Sequence, residues 1–99
     1  MFVIVLTYKV SLDEVEKHLP AHLDWLGAQY DAGVFVASGR RVPRTGGVIL
    51  ATGLGRESVE AIVAEDPFNV NGIADYEIVQ VELGRTAPGL EALQRGATT

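Results

Sequence analysis

Two histidines, one aspartate and a short arginine cluster carry most of the chemistry open to this chain. His18 and His22 stand four residues apart in "EVEKHLPAHLDWL", so they neighbour each other on one helix surface. An H-x-x-x-H pair can grip a metal, but the Glu of the zinc-protease pattern and a third ligand are missing, and no metal is expected. His18 lies well off the helix's apolar stripe, beside Glu14, and reads as solvated. His22 lies about 60° from the centre of that stripe and borders the buried side. Two readings fit it: a core-edge histidine bonded to backbone, or an imidazole held ready for general acid–base work. Should Pro20 restart the helix, His22 would fall in a first turn, where the helix dipole favours the neutral ring.

Asp66 opens "DPFNVNG", residues 66–72. A helix is predicted over 56–66, which puts Asp66 at a negative helix end, a placement disfavoured by up to about 1 kcal/mol. Pro67 forbids another turn. An acid kept at the wrong end could fix one nitrogen of an imidazole and free the other as acid or base. Equally, it could be a turn aspartate capping the backbone after the proline. Arg40, Arg41 and Arg44 fall within five residues, next to Gly46 and Gly47. They could hold a carboxylate or phenolate, or form a solvated loop on an acidic surface. Ser38, on the same strand side as Arg40, adds a hydroxyl. The "GLG" at 53–55 lacks the third glycine of a dinucleotide fingerprint, and no cofactor is expected.

The elements that must position these groups are legible in the spacing. Residues 2–8 are β-branched and aromatic and read as a strand. Ser11 with Glu14 has capping-box spacing. Leu12, Val15, Leu19, Leu23, Leu26 and Tyr30 then repeat at helical intervals as far as Gly33, with a kink expected at Pro20. Strands follow at 34–40 and 48–53, a helix at 56–66 and a last strand at 74–83. The order β-α-β-β-α-β predicts an α+β, ferredoxin-like fold with an antiparallel sheet. Residues 1–83 form the expected domain. Residues 84–99 form a Gly-, Thr- and Ala-rich tail with at most one weak turn near Leu90 and Leu93.

Composition narrows the function. The 99 residues are 47% hydrophobic and 21% charged, with net charge −5 and no cysteine. The acidic balance argues against nucleic acid as a partner. No apolar run reaches the ~20 residues of a membrane span. The opening "MFVIVLTYKV" has no charged leader region or cleavage site, so a cytoplasmic location is expected by elimination. Two helices can cover only one sheet face, yet Val3 and Val5 oppose Phe2, Ile4 and Leu6, and Val48 and Leu50 oppose Ile49. A bare second face would expose several hundred Å² of apolar surface, so a homodimer packed sheet to sheet is expected.

The stretches "LPAHLDWL", "DAGVFVASG" and "EDPFNVNGI" together resemble the YCII-related (YciI-like) family over about residues 2–83. Pro20 to Leu23 and Asp66 to Phe68 match its most specific positions in order and spacing. The resemblance implies a dimeric α+β barrel and a pocket in which His22 and Asp66 are the catalytic pair; Arg40, Ser38 and Phe68 are the expected substrate-binding residues of this chain. The chain departs from many relatives at Leu19, where they carry a basic residue, and at Gly39-Arg40-Arg41, where they carry Gly-Pro; the rim is thus more cationic. The implied function is a cofactor-independent, small-molecule lyase or isomerase that moves a proton on a small, anionic organic ligand. The competing reading is a non-catalytic dimer that binds a small ligand or serves as an accessory domain. On the enzymatic reading, His22→Ala is expected to abolish turnover while leaving the melting temperature nearly unchanged; lost stability with no activity to lose would favour a core histidine.

Overall fold

The chain is seen in a computed structural model that describes residues 1–95. Its elements are β1 (Phe2–Tyr8), α1 (Leu12–Asp31), β2 (Phe35–Arg40), β3 (Gly46–Ala51), α2 (Arg56–Ala64), α3 (Pro67–Val70) and β4 (Ala74–Gln80), followed by a 3-10 turn over Glu91–Gln94. The strands form one antiparallel sheet in the order β2-β3-β1-β4. In each half, a strand, its crossover helix and the next strand leave a one-strand gap that the other half fills. This is the ferredoxin-like α+β arrangement expected from the element order.

Ser11 caps α1, its hydroxyl accepting from the Glu14 amide at 3.4 Å. The helix runs unbroken through Pro20, which is exposed. A proline there removes one internal hydrogen bond, and the packed face supplies the stability that propensity does not. Pro20 does not restart the helix, so His22 lies in mid-helix, away from any helix N-terminus. Gly33 ends the helix with φ +75°, and its amide bonds back to Tyr30 O. Only glycine enters that left-handed region at no steric cost.

Alternation along β1 decides what is inside. Phe2, Ile4 and Leu6 are buried beneath the helices, with Ile49 and Ala51 beside them on β3. Phe2 and Ile4 are each worth about 1.5–3 kcal/mol from burial alone. Val3, Val5, Val48 and Leu50 occupy the opposite face and are only half-buried. The apolar stripe of α1 is rotated from the one the leucines suggest. Val15, His22 and Trp25 are its buried residues, whereas Leu12, Leu23 and Tyr30 are exposed.

The tail returns to the sheet end. The Arg95 guanidinium donates to Gly33 O at 2.7 Å and to Thr52 Oγ1 at 3.1 Å, while Gly53 N donates to Arg95 O. The turn expected near Leu90 and Leu93 is the 3-10 turn. No helix among the described residues is long and apolar enough to cross a membrane.

Candidate active site: a buried imidazole–carboxylate pair beside a small cavity

His22 and Asp66 meet. Nδ1 of His22 lies 2.8 Å from Oδ1 of Asp66, with the aspartate 0% and the histidine 7% exposed. The pair forms because α3 packs against the middle of α1, which brings the two side chains together across 44 residues of sequence.

The local setting of Asp66 differs from the expected one. Helix α2 stops at Ala64, and Asp66 is not its last residue but the N-cap of α3. Its Oδ1 accepts the Phe68 amide at 3.0 Å, and Pro67 takes the first helical position. Aspartate is among the best N-caps, and proline suits the position that follows. The carboxylate is therefore at a favoured helix end, and the supposed electrostatic conflict does not exist. The two sequence readings of Asp66 also prove compatible, since one oxygen caps the backbone and receives the imidazole.

The second oxygen has its own donor. Tyr76, the third residue of β4, gives its hydroxyl to Asp66 Oδ2 at 2.5 Å. Burial above all, then the bond to Asp66 and its charge, pushes the Tyr76 phenol well above the ordinary tyrosine range. It stays an O–H donor at any physiological pH. With a backbone N–H and a phenol O–H both donating to it, Asp66 acts as an acceptor, and His22 must supply the proton at Nδ1. That partner selects the Nδ1–H tautomer and leaves Nε2 with a free lone pair when the ring is neutral.

Aromatic packing sets the plane of the ring. Phe68 stacks on His22 with centroids 4.0 Å apart and planes 6° from parallel. Trp25 lies tilted by 34° to the ring at 5.6 Å and donates its indole N–H to Ile62 O. Tyr8 meets Phe68 edge-on at 5.9 Å. His22 is thus held by aromatic contacts and by a hydrogen bond at one edge, and it is a core residue. Replacing it with alanine would open a void and strip a donor from a buried carboxylate, so a neutral effect on melting temperature is not expected.

A cavity of about 170 Å³ adjoins the pair. Leu19, Leu23 and Leu26 from α1 form one wall, with His22 and Phe68 beside them, and Gly39, Gly46 and Gly47 face them from β2 and β3. Gly47, paired with Leu6 and Arg40 on the helix-covered face, brings no side chain into the hollow. Gly46 is obligatory for a different reason, since a Cβ there would lie 1.8 Å from Leu6 O.

Of the remaining expected residues, Arg40, Ser38 and Phe68 all line the cavity. Ser38 Oγ is 2.7 Å from Tyr30 OH. The arginine cluster is dispersed. Arg41 turns to the opposite sheet face and donates to Thr7 Oγ1 at 2.8 Å, and Arg44 pairs with Glu16 on α1 at 2.6 Å. Arg40 alone reaches the cavity, with no acidic partner among the described residues. Adjacent strand residues point to opposite faces, so the dispersal follows from backbone geometry. Tyr76 was missed at the sequence level. Period-2 alternation places it on the helix side, but no local pattern reveals the carboxylate waiting there.

The family and structural relationships of the chain follow the same outline. No match to it is found among curated proteins. Among solved structures it is similar to the 5-chloro-2-hydroxyhydroquinone dehydrochlorinase TftG from Burkholderia phenoliruptrix AC1100, described in complex with 2,5-dihydroxybenzoquinone. The identity is 18% and the TM-score 0.69, over 85% of this chain and 96% of that one. At that identity the likeness is one of fold. The YCII-related domain model matches residues 1–82. The chain therefore belongs to the YCII-related family.

Proposed function

We propose that the protein is a small-molecule enzyme of the lyase or isomerase type, in which His22 moves a proton on a single-ring, anionic substrate. The observation that carries this reading is the 2.8 Å bond between His22 Nδ1 and the fully buried Asp66, on a histidine that borders the cavity. A carboxylate fixing one imidazole nitrogen orients the ring and stabilises the imidazolium formed during transfer. The cavity size supports a small substrate, because about 150 Å³ is enough to take up benzene. Arg40, exposed at the cavity's edge, supplies a positive charge for a phenolate, enolate or carboxylate. Ser38 adds a hydrogen-bonding hydroxyl, and Phe68 an apolar surface.

In the reaction, Nε2 of the neutral ring accepts a proton from the substrate. The electron pair left behind delocalises onto an oxygen near Arg40. From there it either re-forms a bond at another carbon, giving isomerisation, or expels an anionic leaving group, giving elimination. The imidazolium returns its proton to the product or to water. The dehydrochlorinase activity in the name of the fold neighbour, and its dihydroxybenzoquinone ligand, suit this class. We further infer that residues 1–83 form the working unit, in the cytoplasm, as a homodimer packed through the face bearing Val3, Val5, Val48 and Leu50.

Chlorinated hydroxyhydroquinones and hydroxyquinones, tested anaerobically, check the reading through chloride release and through deuterium uptake from D2O. Turnover that falls at least about 100-fold in His22→Gln is the expected result. Ligand binding without turnover or exchange, unchanged by that substitution, would instead favour a non-catalytic binding module.

A further inference from the structure

Asp66 has an asymmetric set of partners. Oδ1 serves two N–H groups, those of Phe68 at 3.0 Å and His22 at 2.8 Å. Oδ2 has one partner, the Tyr76 hydroxyl at 2.5 Å. A buried carboxylate oxygen without a donor is costly, so this one bond decides how the charge of Asp66 is shared. If Oδ2 lost it, the carboxylate would become more basic and Oδ1 would pull harder on the proton between Oδ1 and Nδ1. The sheet fixes Tyr76 in this position. It pairs with Leu6 on β1, which pairs with Gly47 on β3, which pairs with Arg40 on β2. One rung of the sheet thus carries Arg40 at the cavity end and Tyr76 behind the carboxylate. The tyrosine does not line the cavity, so it acts on a ligand only through Asp66.

We propose that Tyr76 is the positioning residue of the His22–Asp66 pair: by donating to Oδ2 it locks the carboxylate in plane and draws off part of its charge, which keeps the shared proton on His22 Nδ1 and Nε2 directed to the cavity as an acceptor. The inference rests on the proposed proton-transfer role for what it does to turnover, but its structural content does not need that role. Tyr76→Phe removes the hydroxyl and little else. In the variant the more basic carboxylate pulls harder on the shared proton. The downfield NMR resonance of the His22 Nδ1 proton, assigned by its disappearance in His22→Gln, therefore moves further downfield or broadens through exchange. Where a substrate is turned over, kcat falls about tenfold while KM changes little.

Two results would overturn the proposal. One is a folded Tyr76→Phe protein whose Nδ1 proton and ring nitrogen shifts match the wild type, with only the melting temperature lowered; the hydroxyl would then be structural alone. The other needs no variant, which matters if Tyr76→Phe fails to fold. The Cζ shift of Tyr76 in the labelled wild-type protein should stay that of a phenol through the ordinary tyrosine titration near pH 10. An ordinary titration there would mean that no such bond to Asp66 is held. Because the NMR readouts involve no substrate, a protein without turnover would defeat the proposed function and leave the Tyr76 result to stand or fall by itself.

Discussion

The two faces of the sheet are made by the same strands and nearly the same residue types, yet they have different fates. On β1, Phe2, Ile4 and Leu6 are sealed beneath the helices, while Val3 and Val5, one residue away, stay half-open. On β3, Ile49 and Ala51 are buried, and Val48 and Leu50 are not. Hydropathy does not separate the faces; what covers them does. The covered face also holds the polar chemistry. Asp66, His22 and Tyr76 form their network there because the helices exclude water and every donor finds an acceptor. A polar network is tolerable in a core only when it is so satisfied.

This contrast can be broken by experiment. Phe2→Ala, in the centre of the covered face, should cost about 3–5 kcal/mol in denaturant unfolding. Val3→Ala on the other face should cost under about 1 kcal/mol in dilute protein, and equal losses would erase the distinction. Asp66→Ala should follow, at about 3 kcal/mol, since it strands three donors and removes the cap of α3. A smaller effect comes from pH. The folded state raises the Tyr76 phenol above its ordinary value, so the native chain keeps a proton that the unfolded chain releases above about pH 10. That stabilisation is complete below this pH and is lost as pH rises beyond it. Thermal melts from pH 9 to 11 should therefore show a decline in wild type that is shallower in Tyr76→Phe. The smallest effect on folding is expected from Val5→Lys, at under about 0.5 kcal/mol in the separated chain. Light scattering on the same variant should show the proposed dimer reduced to monomer, and an unchanged mass would remove that face from the assembly.

Much of the site was legible because its clues are local. His22 and Asp66 each stand out within a few residues, one at the edge of an apolar stripe and the other before a proline. The leucine stripe of α1 misled only in part: Leu19 and Leu26 line the hollow and pack against the core, whereas Leu23 lines it and is 54% exposed. The arginine cluster misled because closeness in sequence was taken for closeness in space, although strand alternation separates Arg40 from Arg41. Asp66 was assigned to the end of the preceding helix because a proline that stops one helix and a proline that starts the next look identical in sequence.

By itself the sequence determined the fold class, the apolar character of both sheet faces and most of the order of the elements, while the pairing of His22 with Asp66 was implied by resemblance to the family. The first three follow from periodicity, capping and turn chemistry, which act over a few residues. Tertiary structure alone decided that Asp66 starts a helix, that Tyr76 completes its shell of donors and that only Arg40 reaches the cavity. Each of these depends on which groups the packing of α3 against α1 and the register of four strands bring together, and hydrogen bonds between residues ten to forty-four positions apart leave no periodic trace.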